Sequence, residues 1–303
     1  MIRRIALLLA IVLGLASFGA VGQLRLLCTT TFIGDVVSNI AVDGMRVDVL
    51  LPRNTDPHAF EMTPQDLIRF SQADLILANG AGLEEFLAPY VSEITVPIID
   101  LSANLRLRDL SGEVVQTGAQ TLGQIVAIDP HVWFDPANVI TWTQTIASAL
   151  ESLDPGGADQ IAARAADYVQ QLTALDTWIE ETVSQIPTAN RKLVTDHDAF
   201  GYLAARYGFE LIGTVFPGFS TLSEPSAREI ATLEDAIASF GVPTIFVGTT
   251  VNPSLAERIA ADTGVTVTFL YTGSLSAADG PASTYITFMH YDVEQITKGL
   301  LTP

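Results

Sequence analysis

The sequence predicts an α/β protein of two (β/α) lobes, each with a parallel sheet, joined by one long rigid backbone helix. Three observations predict it. Short apolar runs rich in Val, Ile and Leu, bounded by turn residues, recur in both halves of the chain. Helical patterns alternate with them, and near-continuous apolar strands suit parallel sheets buried on both faces. The alternation breaks once, between Pro136 and Ile186, where no good strand occurs and the spacing from Ala158 on is helical. A length of 303 residues with 49% hydrophobic content supplies core for roughly two domains.

Residues 1–22 differ in kind from the rest. Arg3 and Arg4 precede an apolar run ending at Leu15, and small residues lead to Ala20-Val21-Gly22. A basic start, a short apolar stretch and a small-x-small site read as a signal peptide. The alternative is an uncleaved N-terminal anchor; a twin-arginine export route rests on Arg3-Arg4 alone. No other segment approaches the ~20 apolar residues that cross a bilayer. The chain is expected to be exported, to the periplasm or the extracytoplasmic cell surface.

The first lobe, 23–157, carries strands expected at 24–29, 46–51, 74–79 and 96–100. Thr63-Pro64-Gln65-Asp66 is a helix-start signature, with a hydroxyl N-cap, Pro at the first helical position and an acid at the third. That helix runs to about Ser71 and delivers the chain to the strand at Asp74. Residues 103–124 read as an irregular loop. The linking helix, 158–186, places Ile161, Ala165, Tyr168, Leu172, Leu175, Trp178 and Val183 at near-helical spacing. Its roughly 29 residues reach ~43 Å at ~1.5 Å each. Asp154-Pro155-Gly156-Gly157 starts it and Pro187 stops it. The second lobe, 187–303, has strands expected at 192–196, 210–215, 244–247 and 265–270. There Asp198 is expected to cap a helix over 199–207, ended by Gly208.

Charge and cysteine content narrow the function. Removing residues 1–22 takes away Arg3 and Arg4 and no acid, which leaves 13 basic against 34 acidic residues, a formal −21. Such a surface repels nucleic acid and suits a solvated exported protein. Cys28 is the only cysteine, so no intramolecular disulfide forms. Its flanks, Arg25-Leu26-Leu27, lack the small residues that precede a lipid-modified cysteine, and it reads as a buried strand residue.

The four histidines carry the chemistry. "DPHAF" at 56–60 and "DPHVW" at 129–133 each present one, and "DHDAF" at 196–200 presents a third. His58, His131 and His197 each follow a strand end or an acidic loop and precede a helix start. In open α/β sheets the ligand crevice lies outside the carboxyl ends of strands. Pro locks its own backbone and extends the preceding Asp, so each imidazole is presented stiffly. Asp56, Asp129, Asp196 and Asp198 stand ready to accept a ring N–H and set the tautomer of a metal-bound histidine. Singly, each histidine reads as a turn residue bonding a carbonyl. Three at equivalent positions read as a metal site, since three imidazoles make a standard first-row set. His290, in "FMHYDVEQI", lies in a helical pattern and reads as structural.

The strings "TTTFIGDVV", "DPHAFEMTPQD", "ADLILANGAGLEEFL", "DPHVWFDPAN", "LVTDHDAFGYLAARYG", "FSTLSEPSARE", "VNPSLAERIAADTG" and "TYITFMHYDVEQI" follow a signal peptide in this order. The ordered set resembles the zinc- and manganese-binding solute-binding proteins of ABC transporters (cluster A-I) over nearly the whole mature chain. The resemblance implies an extracytoplasmic, monomeric receptor that binds one divalent cation at the lobe interface. It would hand the ion to a membrane permease driven by an ATPase. The family's first three ligands map onto His58, His131 and His197. Histidine at the third position is similar to the zinc-type members, where manganese-type members usually carry glutamate. Nitrogen ligands also favour Zn2+ over Mn2+.

The resemblance departs at the fourth ligand. The family's "TDSL" string is here "TGSL", with Gly273 in place of the aspartate. Water completing a three-histidine set, a substitute acid (Asp279, Glu61 or Glu224), and weak or absent binding are the competing explanations. The loop before the second DPH string has no histidine, so metal scavenging by that loop is not expected. The resemblance implies no enzyme. The rivals are an exported zinc hydrolase with three histidines and a water on the metal, using one of the same acids as base, and a surface adhesin.

Overall fold

The computed structural model describes residues 23–109, 112–115 and 128–301; the segment 1–22, expected to be a signal peptide, and most of the second half of the 103–124 loop lie outside the described residues. In the first lobe, strands β1 (Leu24–Cys28), β2 (Met45–Val49), β3 (Leu75–Ala78) and β4 (Ile98–Asp100) form one parallel sheet in the order β2-β1-β3-β4. Helices α1 (Thr31–Ile40) and α2 (Pro64–Gln72) connect its first three strands. Thr63 and Asp66 close the expected capping box on α2, each satisfying the other's free backbone N–H. Cys28 is fully buried in β1, and burial pushes its thiol well above the usual range.

Two regions depart from expectation. Within 103–124 the chain is not wholly irregular: β5 (Leu107–Arg108) and β6 (Val114–Val115) pair antiparallel as a short hairpin. Two-residue strands carry too little periodicity to be read from sequence. Asp198 does not cap its helix either. Helix α5 starts later, as Gly201–Tyr207, with Phe200 before it and no side-chain cap. Asp198 instead bonds Gly218, as described below. Gly208 does end α5, in the left-handed conformation.

After α3 (Pro136–Leu153) comes α4 (Ala158–Ser184), 27 residues and about 40 Å long. Ile161, Ala165, Tyr168, Leu172, Leu175, Ile179 and Val183 form its buried stripe. That stripe faces α1, α3 and the C-terminal helix α8 (Tyr285–Leu301), with α5 against it as well. The linking helix is therefore packed along both lobes rather than spanning solvent.

The second lobe repeats the first in topology. Strands β7 (Lys192–Thr195), β8 (Glu210–Thr214), β9 (Thr244–Gly248) and β10 (Thr266–Leu270) order as β10-β9-β7-β8, all parallel, with α6 (Ala227–Phe240) and α7 (Ser254–Thr263) as crossovers. In each lobe the first strand lies between the second and third, so each sheet has its switch point beside its first strand. The two switch points face one cleft. Below it, aromatic rings from both lobes interlock: Phe32 stacks on Trp133 at 4.9 Å, Phe134 meets Phe200 at 4.5 Å, and Phe288 lies 4.9 Å from Phe32. Such pairs add to the burial that joins the lobes.

Candidate metal centre

The two DPH strings fold as the same turn. Asp56 Oδ1 accepts the backbone N–H of His58 at 2.9 Å, and Asp129 Oδ1 accepts that of His131 at 3.0 Å. An aspartate bonding the backbone two residues on, across a proline, fixes where the next side chain points. The ring partners then differ. Asp129 Oδ1 also takes the Nδ1–H of His131 at 2.8 Å. Asp56 does not serve the His58 ring as expected; its second oxygen accepts the hydroxyl of Thr221 at 2.6 Å.

His197 leaves the end of β7 with its own orienting acid. Asp196 Oδ1 accepts both the backbone N–H and the ring Nδ1–H of His197, each at 2.8 Å. Asp196 Oδ2 accepts Gly248 N–H at 2.7 Å. Two glycines make room for these carboxylates. A Cβ at Gly201 would lie 2.4 Å from Asp129 Oδ2, and one at Gly248 would lie 3.0 Å from Asp196 Oδ2 and 2.2 Å from Thr272 Oγ1. Neither glycine was legible as part of a site, because the clash exists only once distant loops meet.

With Nδ1 of His131 and His197 bonded to carboxylates, Nε2 of each is the ring nitrogen left to hold a metal ion. His131 Nε2 lies 3.1 Å from His58 Nε2 and 3.1 Å from His197 Nε2. Three ligand nitrogens at ~2.0–2.1 Å from one tetrahedral ion would stand ~3.3 Å apart. One ligand atom from each ring lies within 4.8 Å of the others, and this is the only such group of His, Cys, Asp or Glu among the described residues. Every residue of those four types in the chain is described. His131 and His197 are buried and His58 half-buried.

Electrostatics favour a cation here. Burial, then the His131 and His197 charges, hold the His58 imidazole far below its ordinary range; burial, then His197, does the same to His131. Burial opposes the charge on His197 also, but Asp196 outweighs it and raises the pKa. His58 and His131 are thereby held uncharged. Burial pushes Asp129 up to about 8, whereas Asp196, equally buried, is held low by His197 and the backbone N–H of Gly248.

The first lobe holds His131 from behind. Glu84, buried and pushed by burial to about 7, accepts Thr29 Oγ1–H at 2.7 Å and the N–H groups of Asn79 and Gly80 at 2.7 and 3.0 Å. Asn79 Nδ2 in turn donates to Pro130 O at 3.0 Å, and Tyr202 of the second lobe donates to Asp129 O at 3.0 Å. His290 is elsewhere, its ring 3.9 Å from that of Trp178 between α8 and α4.

Among the carboxylates nominated for a fourth ligand, Glu61, Glu224 and Asp279 all lie outside the three-histidine group. Gly273 faces the loop that carries His58: a Cβ there would lie 2.6 Å from Pro57 Cδ. Arg53 donates to Ser283 O at 3.0 Å and also to Ser276 O, and Asn54 N–H donates to Ser274 Oγ at 2.9 Å. The 272–284 loop is thus tied down against residues 53–57.

Residues 26–299 match the family model described as ZnuA, zinc-uptake complex component A periplasmic. The manganese-binding lipoprotein MntA of Halalkalibacterium halodurans is 30% identical over 279 residues, covering 91% of this chain and 88% of that one. The iron-binding protein YfeA of Yersinia pestis is 30% identical over 283 residues, covering 91% and 86%. The solved periplasmic zinc-binding protein TroA of Treponema pallidum superposes with a TM-score of 0.83 at 28% identity, over 93% of this chain and 100% of that one. Among the described residues no helix is long and apolar enough to cross a membrane. With its two-lobed α/β fold, this chain belongs to the ZnuA family of extracytoplasmic metal-binding receptors of ABC transporters, which are binding proteins rather than enzymes.

Proposed function

We propose that the receptor binds one divalent cation through His58, His131 and His197, with water in the fourth position, and that it prefers Zn2+ to Mn2+. The observation that carries the reading is the convergence of three Nε2 atoms with no carboxylate among them. Manganese favours oxygen donors and zinc accepts an all-imidazole set with one open position. The names of the relatives span manganese, iron and zinc and so do not choose the metal. The organisation we adopt is a signal peptide over 1–22, lobes over 23–157 and 187–303, and a linking helix over 158–186. The chain acts as a monomer and delivers its ion to a membrane permease and ATPase.

Titration of the metal-stripped protein with Zn2+ and Mn2+, by calorimetry and chelator competition, tests this. The expected result is one ion per chain, tighter for zinc, and lost in His131→Ala. Tighter manganese binding would refute the metal preference. Unchanged zinc binding in His131→Ala would refute the ligand set.

A further inference from the structure

A four-residue segment of the second lobe, 218–221, reaches the flank of all three histidines. At one end Gly218 exchanges two backbone-linked bonds with Asp198, the residue after His197: Gly218 N–H donates to Asp198 Oδ2 at 3.0 Å, and Asp198 N–H donates to Gly218 O at 2.9 Å. Gly218 has φ +93°, a conformation that favours glycine. In the middle, the Phe219 ring lies 6.5 Å from that of His131. Phe219 also lines the cavity beside His58 and the neighbouring one bounded by Asp129 and Asp198. At the other end Thr221 crosses to the first lobe, and its hydroxyl donates to Asp56 Oδ2 at 2.6 Å. The other oxygen of that carboxylate holds the backbone of His58.

We propose that segment 218–221 is a strap that positions the metal ligands, and that the Thr221 hydroxyl is the positioning group that locks His58 of the first lobe to the second. The proposal deepens the reading above and rests on the three histidines holding the cation. Among the orienting aspartates, Asp56 is bonded both to the backbone of a ligand histidine in one lobe and to a side chain of the other. A hydrogen bond to a charged acceptor contributes more than a neutral one, so its loss should be felt chiefly as faster opening. The Phe219 ring, between the two cavities, packs beside His131 while the strap is down. Release of the ion to a permease then requires the Thr221–Asp56 bond to break, which places that bond on the exit path.

Thr221→Val keeps shape and removes the hydroxyl; Thr221→Ser restores it. The expected result is a zinc dissociation rate raised on the order of tenfold in Thr221→Val. One ion per chain and an association rate within about twofold of wild type should be retained, and Thr221→Ser should dissociate like wild type. In the metal-free protein, hydrogen exchange at residues 56–58 and 217–222 should quicken in Thr221→Val and not in Thr221→Ser. Dissociation and exchange unchanged in Thr221→Val would overturn the proposal, as would Thr221→Ser behaving like Thr221→Val. If wild type fails to bind zinc one-to-one, the ligand assignment fails, while the exchange measurement still decides whether Thr221 ties the lobes.

Discussion

Replacing Gly273 by alanine adds one carbon atom 2.6 Å from Pro57 Cδ and 3.6 Å from Thr250 Oγ1. Carbon atoms in contact sit ~3.5–4.0 Å apart, so the Pro57 loop must retreat by roughly 1 Å. The loop has little freedom to do so. Pro57 is buried, its ring fixes the backbone, and Arg53 and Asn54 bind the same segment that carries Gly273. The displacement falls on His58, one residue away, whose Nε2 must stay within a few tenths of an ångström of a metal bond. Overpacking of this kind costs about 1–3 kcal/mol, divided between the metal-free fold and the bound geometry, so zinc affinity should drop by up to roughly a hundredfold and the melting temperature should fall. Gly273→Asp carries the same steric cost and adds an oxygen. The difference between the two variants therefore isolates what a carboxylate contributes at this position, and Mn2+ should gain more from it than Zn2+. The assay is chelator-competition titration of both metals on wild type and both variants, with thermal unfolding of the metal-free forms. Wild-type zinc affinity and stability in Gly273→Ala would refute the steric argument. Equal affinities of Gly273→Asp and Gly273→Ala for both metals would show that residue 273 does not face the ion.

Asp196→Asn should weaken zinc binding by on the order of 10–100-fold, because Asp196 takes two donors on Oδ1 and Gly248 N–H on Oδ2, and an amide placed either way sets N–H against N–H. Asp129→Asn should be milder, since both His131 donors fall on the one oxygen Oδ1 and an Asn oxygen can accept them; an equal loss in both variants would contradict this reading. Zinc binding near neutral pH should release protons, from His197, whose pKa is raised by Asp196, and from Asp129, pushed by burial to about 8. Calorimetry in buffers of different ionisation enthalpy measures the release, and affinity should rise with pH up to about 8; binding with no proton release would overturn the assignment of charge. Glu84 supplies a stability test away from the metal. Its folded pKa of about 7 exceeds the unfolded value of ~4.3, so the folded state holds the extra proton. That contribution is fully present below ~4.3 and is lost as pH rises through about 7, a change of roughly 3–4 kcal/mol. Unfolding of wild type and Glu84→Gln between pH 4 and 8 should show the steeper loss with pH in wild type, the difference being the Glu84 contribution; equal slopes would refute it.

Much of this protein is determined locally and was legible without coordinates. All eight strands of the two sheets follow from short runs rich in Val, Ile and Leu. These are fully buried and apolar in the inner strands β3 and β9 and more mixed in the half-exposed edge strands such as β2 and β10. The capping box at Thr63, the length of the linking helix and the left-handed stop at Gly208 are likewise local chemistry. So is the DPH turn, where each aspartate bonds the backbone two residues on and each proline fixes the approach. Tertiary structure decided what lies between segments far apart in sequence. It gave Asp129 to a ring and Asp56 to Thr221, although the two strings are the same. It took Asp198 from a helix cap to Gly218, because the glycine backbone arrived with both a donor and an acceptor to satisfy. It placed three imidazole nitrogens 3.1 Å apart along two sides, and it set Gly273 against Pro57. The contacts of Asp56 with Thr221, of the histidines with one another and of Gly273 with Pro57 join segments 66 to 216 residues apart. They depend on how distant segments meet, and no local propensity records that.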